Sequence, residues 1–231
     1  GPEYAQLQPL VPMRTQLGRV LVFFGGVDPD NLTGLALQAL TRKGLEHLAV
    51  DVVLGRQSPH REEIETLAAR RPCTTLHTSV PSLAGLITRA DLAIGACGAT
   101  AWERACLRLP SLIITIADNQ RPFAKALDAA GHVQLLGDAA TVGTEQISSA
   151  LLDRIINPVQ HHHDAGGDLT DGLGTSRQAL AMLGPDEPIT LRPADASDQV
   201  LLTRWRSDGL YADLKIVPTS LAQTSNQNPT S

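Results

Sequence analysis

The stretch Asp91 to Gln120, DLAIGACGATAWERACLRLPSLIITIADNQ, reads as a strand, a glycine loop, a helix, a second strand and a polar loop. Leu92 to Ile94 is apolar and ends at Gly95. Thr100 to Leu109 has its apolar residues at helical spacing and stops at Pro110, whose ring cannot extend a helix. Leu112 to Ile116 is apolar and β-branched without alternation, the pattern of a strand covered on both faces. A glycine loop leading from a strand into a helix brings free backbone N–H groups to the positive helix end, which suits a phosphate. Gly95 and Gly98 belong to that loop, with Ala99 and Thr100 opening the helix; the same glycines also fit a turn that only packs the helix tightly on the strand. The next loop, Asp118-Asn119-Gln120, leaves its strand on the same side of the sheet, and adjacent loops at strand C-termini are where open parallel sheets bind ligands.

Outward from this stretch the chain alternates strand and helix. Arg19 to Phe24 is a strand ending in Gly25-Gly26-Val27-Asp28-Pro29-Asp30-Asn31, a turn that opens a helix reaching about Lys43, with Asp30 or Asn31 as cap and Gly44 as stop. Strands follow at Leu48 to Leu54 and Thr74 to His77, with helices at Pro59 to Arg70 and Ser82 to Thr88. Beyond the opening stretch come a helix from Arg121 to Ala130, a strand from His132 to Leu136 and a helix from Thr144 to Ile156. This order implies an α/β fold, a Rossmann-like parallel sheet flanked by helices. Residues 1–16 hold three prolines and no clear periodicity and read as a linker; the globular domain spans 17–183. Ser176 to Leu183 is a short amphipathic helix, 184–188 a second linker, 189–207 a further strand and helix, and 209–231 a polar tail with the composition of disorder.

The 231 residues are 42% hydrophobic but only 3% aromatic, so Leu, Ile, Val and Ala must fill the core. The net charge of −5, without a basic stripe or aromatic platform, argues against nucleic acid as a partner. Three cysteines without paired spacing argue against a disulfide framework and a zinc site. His161-His162-His163-Asp164 matches no metal-ligand spacing and reads as a solvated loop, so no metal or cofactor is expected. No apolar run reaches membrane-spanning length and no signal peptide opens the sequence, so a cytoplasmic location is the default expectation.

Two segments together carry a family resemblance: FGGVDPDNLT (Phe24 to Thr33) and GACGATAWERACLRLPSLIITIADNQ (Gly95 to Gln120). They resemble the C-terminal domain of the UDP-2,4-diacetamido-2,4,6-trideoxy-β-L-altropyranose hydrolase of pseudaminic acid biosynthesis. More distantly they are similar to the C-terminal domain of the lipid-linked N-acetylglucosaminyltransferase of peptidoglycan synthesis. Both are glycosyltransferase-B folds, so the resemblance implies the nucleotide-binding C-terminal half of such a fold, with a UDP-sugar as ligand. GPEYAQLQP resembles the interdomain crossing of the hydrolases and DGLGTSRQAL (Asp171 to Leu180) their end, so the likeness covers about residues 1–183. In that family an N-terminal domain supplies a catalytic His in a GxGH loop. No histidine here has that context, so this chain has no catalytic residue of its own and depends on an N-terminal domain as partner. ITLRPADASDQVLLTRWRSD (Ile189 to Asp208) is similar to the first strand and helix of a GNAT-type N-acetyltransferase, without its later pyrophosphate loop.

The resemblance implies roles for particular residues. Glu103 would accept hydrogen bonds from the ribose hydroxyls of UDP; equally, Thr100-Ala101-Trp102-Glu103 has the pattern of a capping box. Gly95, Gly98, Ala99 and Thr100 would face the diphosphate. Gly25 and Gly26 would let the sugar or a phosphate approach the backbone. Asp28 either contacts ligand or, with Asn31, shapes the turn and caps the helix. Asn119 and Gln120 either bond the sugar or cap the helix that follows. His77 to Leu83 would lie near the uracil. Cys97 is a small side chain rather than a nucleophile, and Trp102 and Trp205 are core or partly buried helix residues. The chemistry implied is removal of UDP from the sugar by water; the alternative is a sugar-nucleotide-binding module of a glycosyltransferase.

Overall fold

A computed structural model describes residues 2–12, 14–78, 80–157 and 169–183. Six strands form one sheet in the order β3-β2-β1-β4-β5-β6. They are β1 (Arg19–Phe23), β2 (Ala49–Leu54), β3 (Thr74–Thr78), β4 (Leu92–Ala96), β5 (Ser111–Thr115) and β6 (Gln134–Asp138). Every pairing is parallel, with Val22 opposite both Val52 and Ile94, and Ile94 opposite Leu112. The apolar strands β4 and β5 are buried at every residue, whereas the edge strands β3 and β6, with polar residues interspersed, are only partly covered. Hydrophobic strands thus occupy the centre because helices cover them on both faces.

Eight helices accompany the sheet among the described residues: α1 (Pro2–Leu7), α2 (Leu32–Ala39), α3 (Arg61–Arg70), α4 (Ala84–Arg89), α5 (Ala99–Cys106), α6 (Arg121–Ala129), α7 (Thr144–Ile156) and α8 (Gly174–Leu183). Side chains alternate across the strands. Val20, Val22, Ile94, Leu112 and Ile114 pack with Leu37 of α2, Ile64 of α3 and Ile147 and Leu151 of α7. Leu21, Val53 and Ala93 point the other way, into a cluster with Tyr4 of α1, Ile87 of α4 and Cys106 of α5. Ile113 joins Ala101 of α5 with Ala124 and Leu127 of α6.

Charged groups tie the bottom of the fold. Arg14 donates to the carbonyls of Ile87, Ala90, Leu107 and Arg108 at 2.7–3.0 Å, closing the C-terminal ends of α4 and α5. Burial pushes its guanidinium down to about 10. The fully buried Asp51 of β2 accepts from Arg19 at 3.0 Å, His77 at 2.7 Å and Arg89 at 2.5 Å.

Several expectations change. Residues 2–10 are not a bare linker: α1 and a 3-10 turn (Gln8–Leu10) form, and Tyr4 is buried. Six residues are too few to show helical periodicity, and α1 is held by packing on α4 and α5. Gly95 lies inside β4 rather than after it. Helix α2 ends at Ala39, and the chain turns through to Gly44, whose φ of +96° suits glycine. Helix α5 starts at Ala99 and ends at Cys106, before Pro110 is reached. Helix α7 occupies the span its pattern predicts. The histidine run, Trp205, the second linker, the acetyltransferase-like segment and the polar tail lie outside the described residues.

Candidate functional site

The C-terminal ends of β1 and β2, the loop after β3, and helices α5 and α1 surround a cleft of about 400 Å³. Phe23, Val53 and Leu54 line it from the sheet, and Val80 to Leu83 from the loop after β3. Thr100 and Glu103 face it from α5, Glu3 and Tyr4 from α1, and Gly26 and Gly55 from the strand ends. The cleft sits at the carboxyl edge of a parallel sheet, where the chain crosses from one side of β1 to the other.

Glycine makes the rim possible. A Cβ on Gly55 would overlap the Gly26 carbonyl, so the loops after β1 and β2 touch through bare backbone. A Cβ on Gly26 would meet nothing within 4 Å. Gly25 turns with φ +101°, open to glycine and strained for other residues. Asp28 leaves the rim: its carboxylate accepts from the N–H groups of Leu32 at 3.0 Å and Thr33 at 2.9 Å, and the residue is 5% exposed. It caps α2 from beneath, while Asn31 accepts from Gly34 at 3.1 Å. Of the two expectations for Asp28, helix capping accounts for its position.

Helix α5 presents the site's polar groups. Its N-cap is Gly98, and no side chain caps it. Thr100 is therefore the second helical residue, not the cap, and the Thr100–Glu103 capping box does not form. The N–H groups of Ala99 and Thr100 have no intrahelical acceptor at such a terminus. Thr100 and Glu103, three residues apart, share the helix face that borders the cleft. Gly95 plays a different part: its missing side chain makes room for the Arg104 guanidinium and the Phe23 carbonyl. Arg104 is 2% exposed, donates to Ala96 O at 2.7 Å, and is pushed down to about 10 by burial. Burial likewise raises the Cys97 thiol, although Arg104 opposes the shift, which fits a packing role for this cysteine.

The loop after β5 lies beside this helix start. Asp118–Gln120 forms a 3-10 turn, and Gln120 Nε2 comes within 4.0 Å of where a Gly98 Cβ would stand. Gln120 Oε1 accepts from Ile116 N at 3.2 Å. Asn119 is exposed, and neither residue's side chain caps α6. Trp102 stacks on Phe123 with ring centroids 4.9 Å apart, yet stays 45% exposed, so it bridges α5 and α6 on the surface rather than in the core. At the ends of β5 and β6, Asp138 accepts from Thr115 and from Arg121 at 2.8 Å, and Arg121 also bonds Asp118 at 2.5 Å. The Thr115 and Arg121 bonds hold the Asp138 carboxyl below its ordinary value, and the Arg121 guanidinium is shared between two carboxylates.

Among the described residues the cleft lining contains two carboxylates, Glu3 and Glu103, and no lysine or arginine. Such a lining accepts from hydroxyl donors and offers an apolar wall to a flat ring; an anion would be held outside it, at the α5 terminus. Six lining residues escape sequence reasoning: Glu3, Tyr4, Phe23, Val53, Leu54 and Gly55. Gly55 could have been noticed, because it follows its strand as Gly25 follows β1. Glu3 and Tyr4 carry no local signal. No group of His, Cys, Asp and Glu among the described residues is arranged to hold a metal ion.

The fold recurs in known structures. The UDP-GlcNAc 2-epimerase from Neisseria meningitidis, solved bound to UDP-GlcNAc, superposes with a TM-score of 0.53 at 20% identity, over 78% of this chain and 47% of that one. WaaG, a glycosyltransferase involved in lipopolysaccharide biosynthesis, gives 0.52 at 16% identity, over 77% and 49%. The chain has the α/β Rossmann-like fold of one half of a glycosyltransferase-B protein. By sequence it is 28% identical over 188 residues to the spore coat polysaccharide biosynthesis protein SpsG of Bacillus subtilis (strain 168), covering 77% of this chain and 55% of SpsG. It therefore spans about half the length of these proteins. No protein-family model matches the sequence. Among the described residues no helix is long and apolar enough to cross a membrane.

Proposed function

We propose that this chain is the sugar-nucleotide-binding half of a glycosyltransferase-B-type protein of saccharide biosynthesis, and that its cleft takes the nucleoside of a UDP-sugar. The observation that carries this is Glu103: no capping box engages it, and it borders an apolar cleft one turn from the open start of α5. The ribose hydroxyls donate to Glu103, the base lies along Val80 to Leu83, and the diphosphate runs to the N–H groups of Ala99 and Thr100. Gly26 lets the chain of phosphates pass close to the backbone, and Gln120 stands on the side where the sugar emerges. The polysaccharide role of SpsG and the UDP-GlcNAc bound to the epimerase support a sugar nucleotide as ligand. Release of UDP from a diacetamido-trideoxy sugar by water rests on the resemblance of FGGVDPDNLT and GACGATAWE alone. The neighbours favour the broader reading as a binding module.

Calorimetric titration of the 231-residue chain with UDP, CDP and ADP tests the proposal. UDP is expected to bind most tightly. Glu103→Gln keeps the side-chain shape and removes the charge, so UDP affinity should fall roughly five- to thirtyfold while the denaturation midpoint holds. Equal affinity for all three nucleotides, or none for UDP, refutes the assignment.

A further inference from the structure

The buried Arg104 side chain reaches back along α5 to donate to Ala96 O, which precedes the start of the helix. Its guanidinium also fills the space that a Cβ on Gly95 would need, beside the carbonyl of Phe23. Phe23 lines the cleft, so the charge lies at the carboxyl ends of β1 and β4, behind the cleft wall and beneath the glycine loop. The Nε of Arg104 is buried without a hydrogen-bond partner, and no carboxylate among the described residues forms an ion pair with this side chain. Glu103, its neighbour in sequence, adds only a longer-range attraction. Burial lowers the guanidinium pKa only to about 10, so the charge persists through the neutral range. Burying a charge without a partner is costly, and an unpaired one calls for a counter-charge from outside the chain.

We propose that Arg104 is the fixed counter-charge of the diphosphate, acting through the glycine loop rather than by contact. This deepens the reading of the cleft given above and rests on it. Among the described residues the lining holds two carboxylates, Glu3 and Glu103, and no lysine or arginine, so no lining side chain offsets the charge of a diphosphate. The start of α5 supplies the equivalent of about half a positive charge. Arg104 adds a full one. The chain from Ala96 to Ala99 spans at most about 11 Å, so the guanidinium bound at Ala96 and a phosphate at the Ala99 N–H are separated by a distance of that order. At about 10 Å and an effective dielectric constant of about 20, the attraction between two unit charges changes an affinity roughly tenfold. A neutral nucleoside gains none of it.

Calorimetry of the whole chain with UDP and with uridine is the test, because only UDP carries the diphosphate. Arg104→Met keeps much of the buried stem and removes the charge. UDP affinity should fall roughly five- to twentyfold, while uridine affinity changes less than about twofold. Arg104→Lys keeps the charge and should retain most of the margin of UDP over uridine. Undiminished UDP affinity in Arg104→Met overturns the proposal. Equal losses for the two ligands also overturn it, since the guanidinium would then serve only to hold the loop on β4. If Arg104→Met does not fold, Arg104→Lys decides: a retained margin supports the counter-charge and a lost one overturns it. If the unchanged chain binds UDP more tightly than CDP and ADP while Arg104→Met leaves the margin over uridine intact, only this inference fails. Absence of UDP binding by the unchanged chain overturns the nucleotide reading and this inference with it.

Discussion

Gly26 and Gly55 touch each other at the rim of the cleft, yet a methyl group added to one or the other has opposite consequences. At Gly55 the new carbon would overlap the Gly26 carbonyl, and backbone must move to admit it. Gly55→Ala should therefore cost on the order of 1–3 kcal/mol of stability, the usual range for forcing atoms into a packed site. At Gly26 the carbon meets no atom within 4 Å and the backbone does not lie in the left-handed region. Gly26→Ala should leave stability within about 0.5 kcal/mol and still weaken UDP, because the methyl narrows the path of the phosphates. Denaturation midpoints and UDP titrations of the two variants check both halves. A Gly26→Ala variant with undiminished UDP affinity would remove that residue from the site. Gly95 belongs with Gly55: its lack of a side chain serves Arg104 and Phe23, so its importance is structural.

At the scale of elements, α1, α4 and α5 form one unit on the cleft side of the sheet. Tyr4 packs among them at one end. Arg14 closes the other, donating to four carbonyls at the ends of α4 and α5. These carbonyls have no intrahelical donors of their own, so the guanidinium completes both helices at once. Arg14→Met preserves much of the buried stem and removes the donors. It should destabilise the chain by about 2 kcal/mol, the range for losing hydrogen bonds to a charged group, with the loss seen as a lower urea midpoint at unchanged slope. Because Arg14 binds the C-terminal ends of α4 and α5, whereas the cleft is bordered by the start of α5, UDP affinity should be retained in conditions where the variant is folded. Helix α2 shows the same logic at its start, where Asp28 and Asn31 meet three N–H groups between them.

For the whole molecule, the buried Asp51 is one carboxyl that contributes to the response to acid. Burial alone would raise its pKa, but hydrogen bonds from His77, Arg89 and Arg19 outweigh that and hold the carboxyl below its ordinary value. The folded state thus binds this proton less readily than the unfolded chain does. The stability Asp51 contributes is complete above the ordinary carboxylate pKa of about 3.9 and is lost as pH falls through the lower folded value. Asp51→Asn leaves three cationic or hydrogen-bonding partners around a neutral group. The variant should be less stable at neutral pH, and its stability should vary less with pH below about 4. Denaturation midpoints measured from pH 7 downward for both proteins check this; parallel curves would mean that Asp51 does not contribute to the acid limb.

The sequence alone determined the sheet and most of its helices. Continuous apolar runs such as Leu92 to Ile94 and Leu112 to Ile116 can be satisfied only between two helical layers, so they announce central parallel strands wherever they occur. Helix α7 is legible to the residue because thirteen positions repeat one face often enough to be seen. Tertiary structure decided the roles within the site. Whether Glu103 caps its helix or faces a cleft depends on α5 starting at Ala99 rather than after Thr100, a shift within local ambiguity that reassigns every carboxylate contact. Whether Gly95 meets a ligand or an arginine depends on Arg104 folding back beneath its own strand. Tyr4 is the extreme case: its helix is too short to be stable or recognisable alone, and it exists because α4 and α5 offer it an apolar seat. Local patterns act over one or two turns of chain. The cleft is made by the order in which crossovers set strands side by side, and that order brings residues 4, 55, 82 and 103 together across distances no local pattern spans.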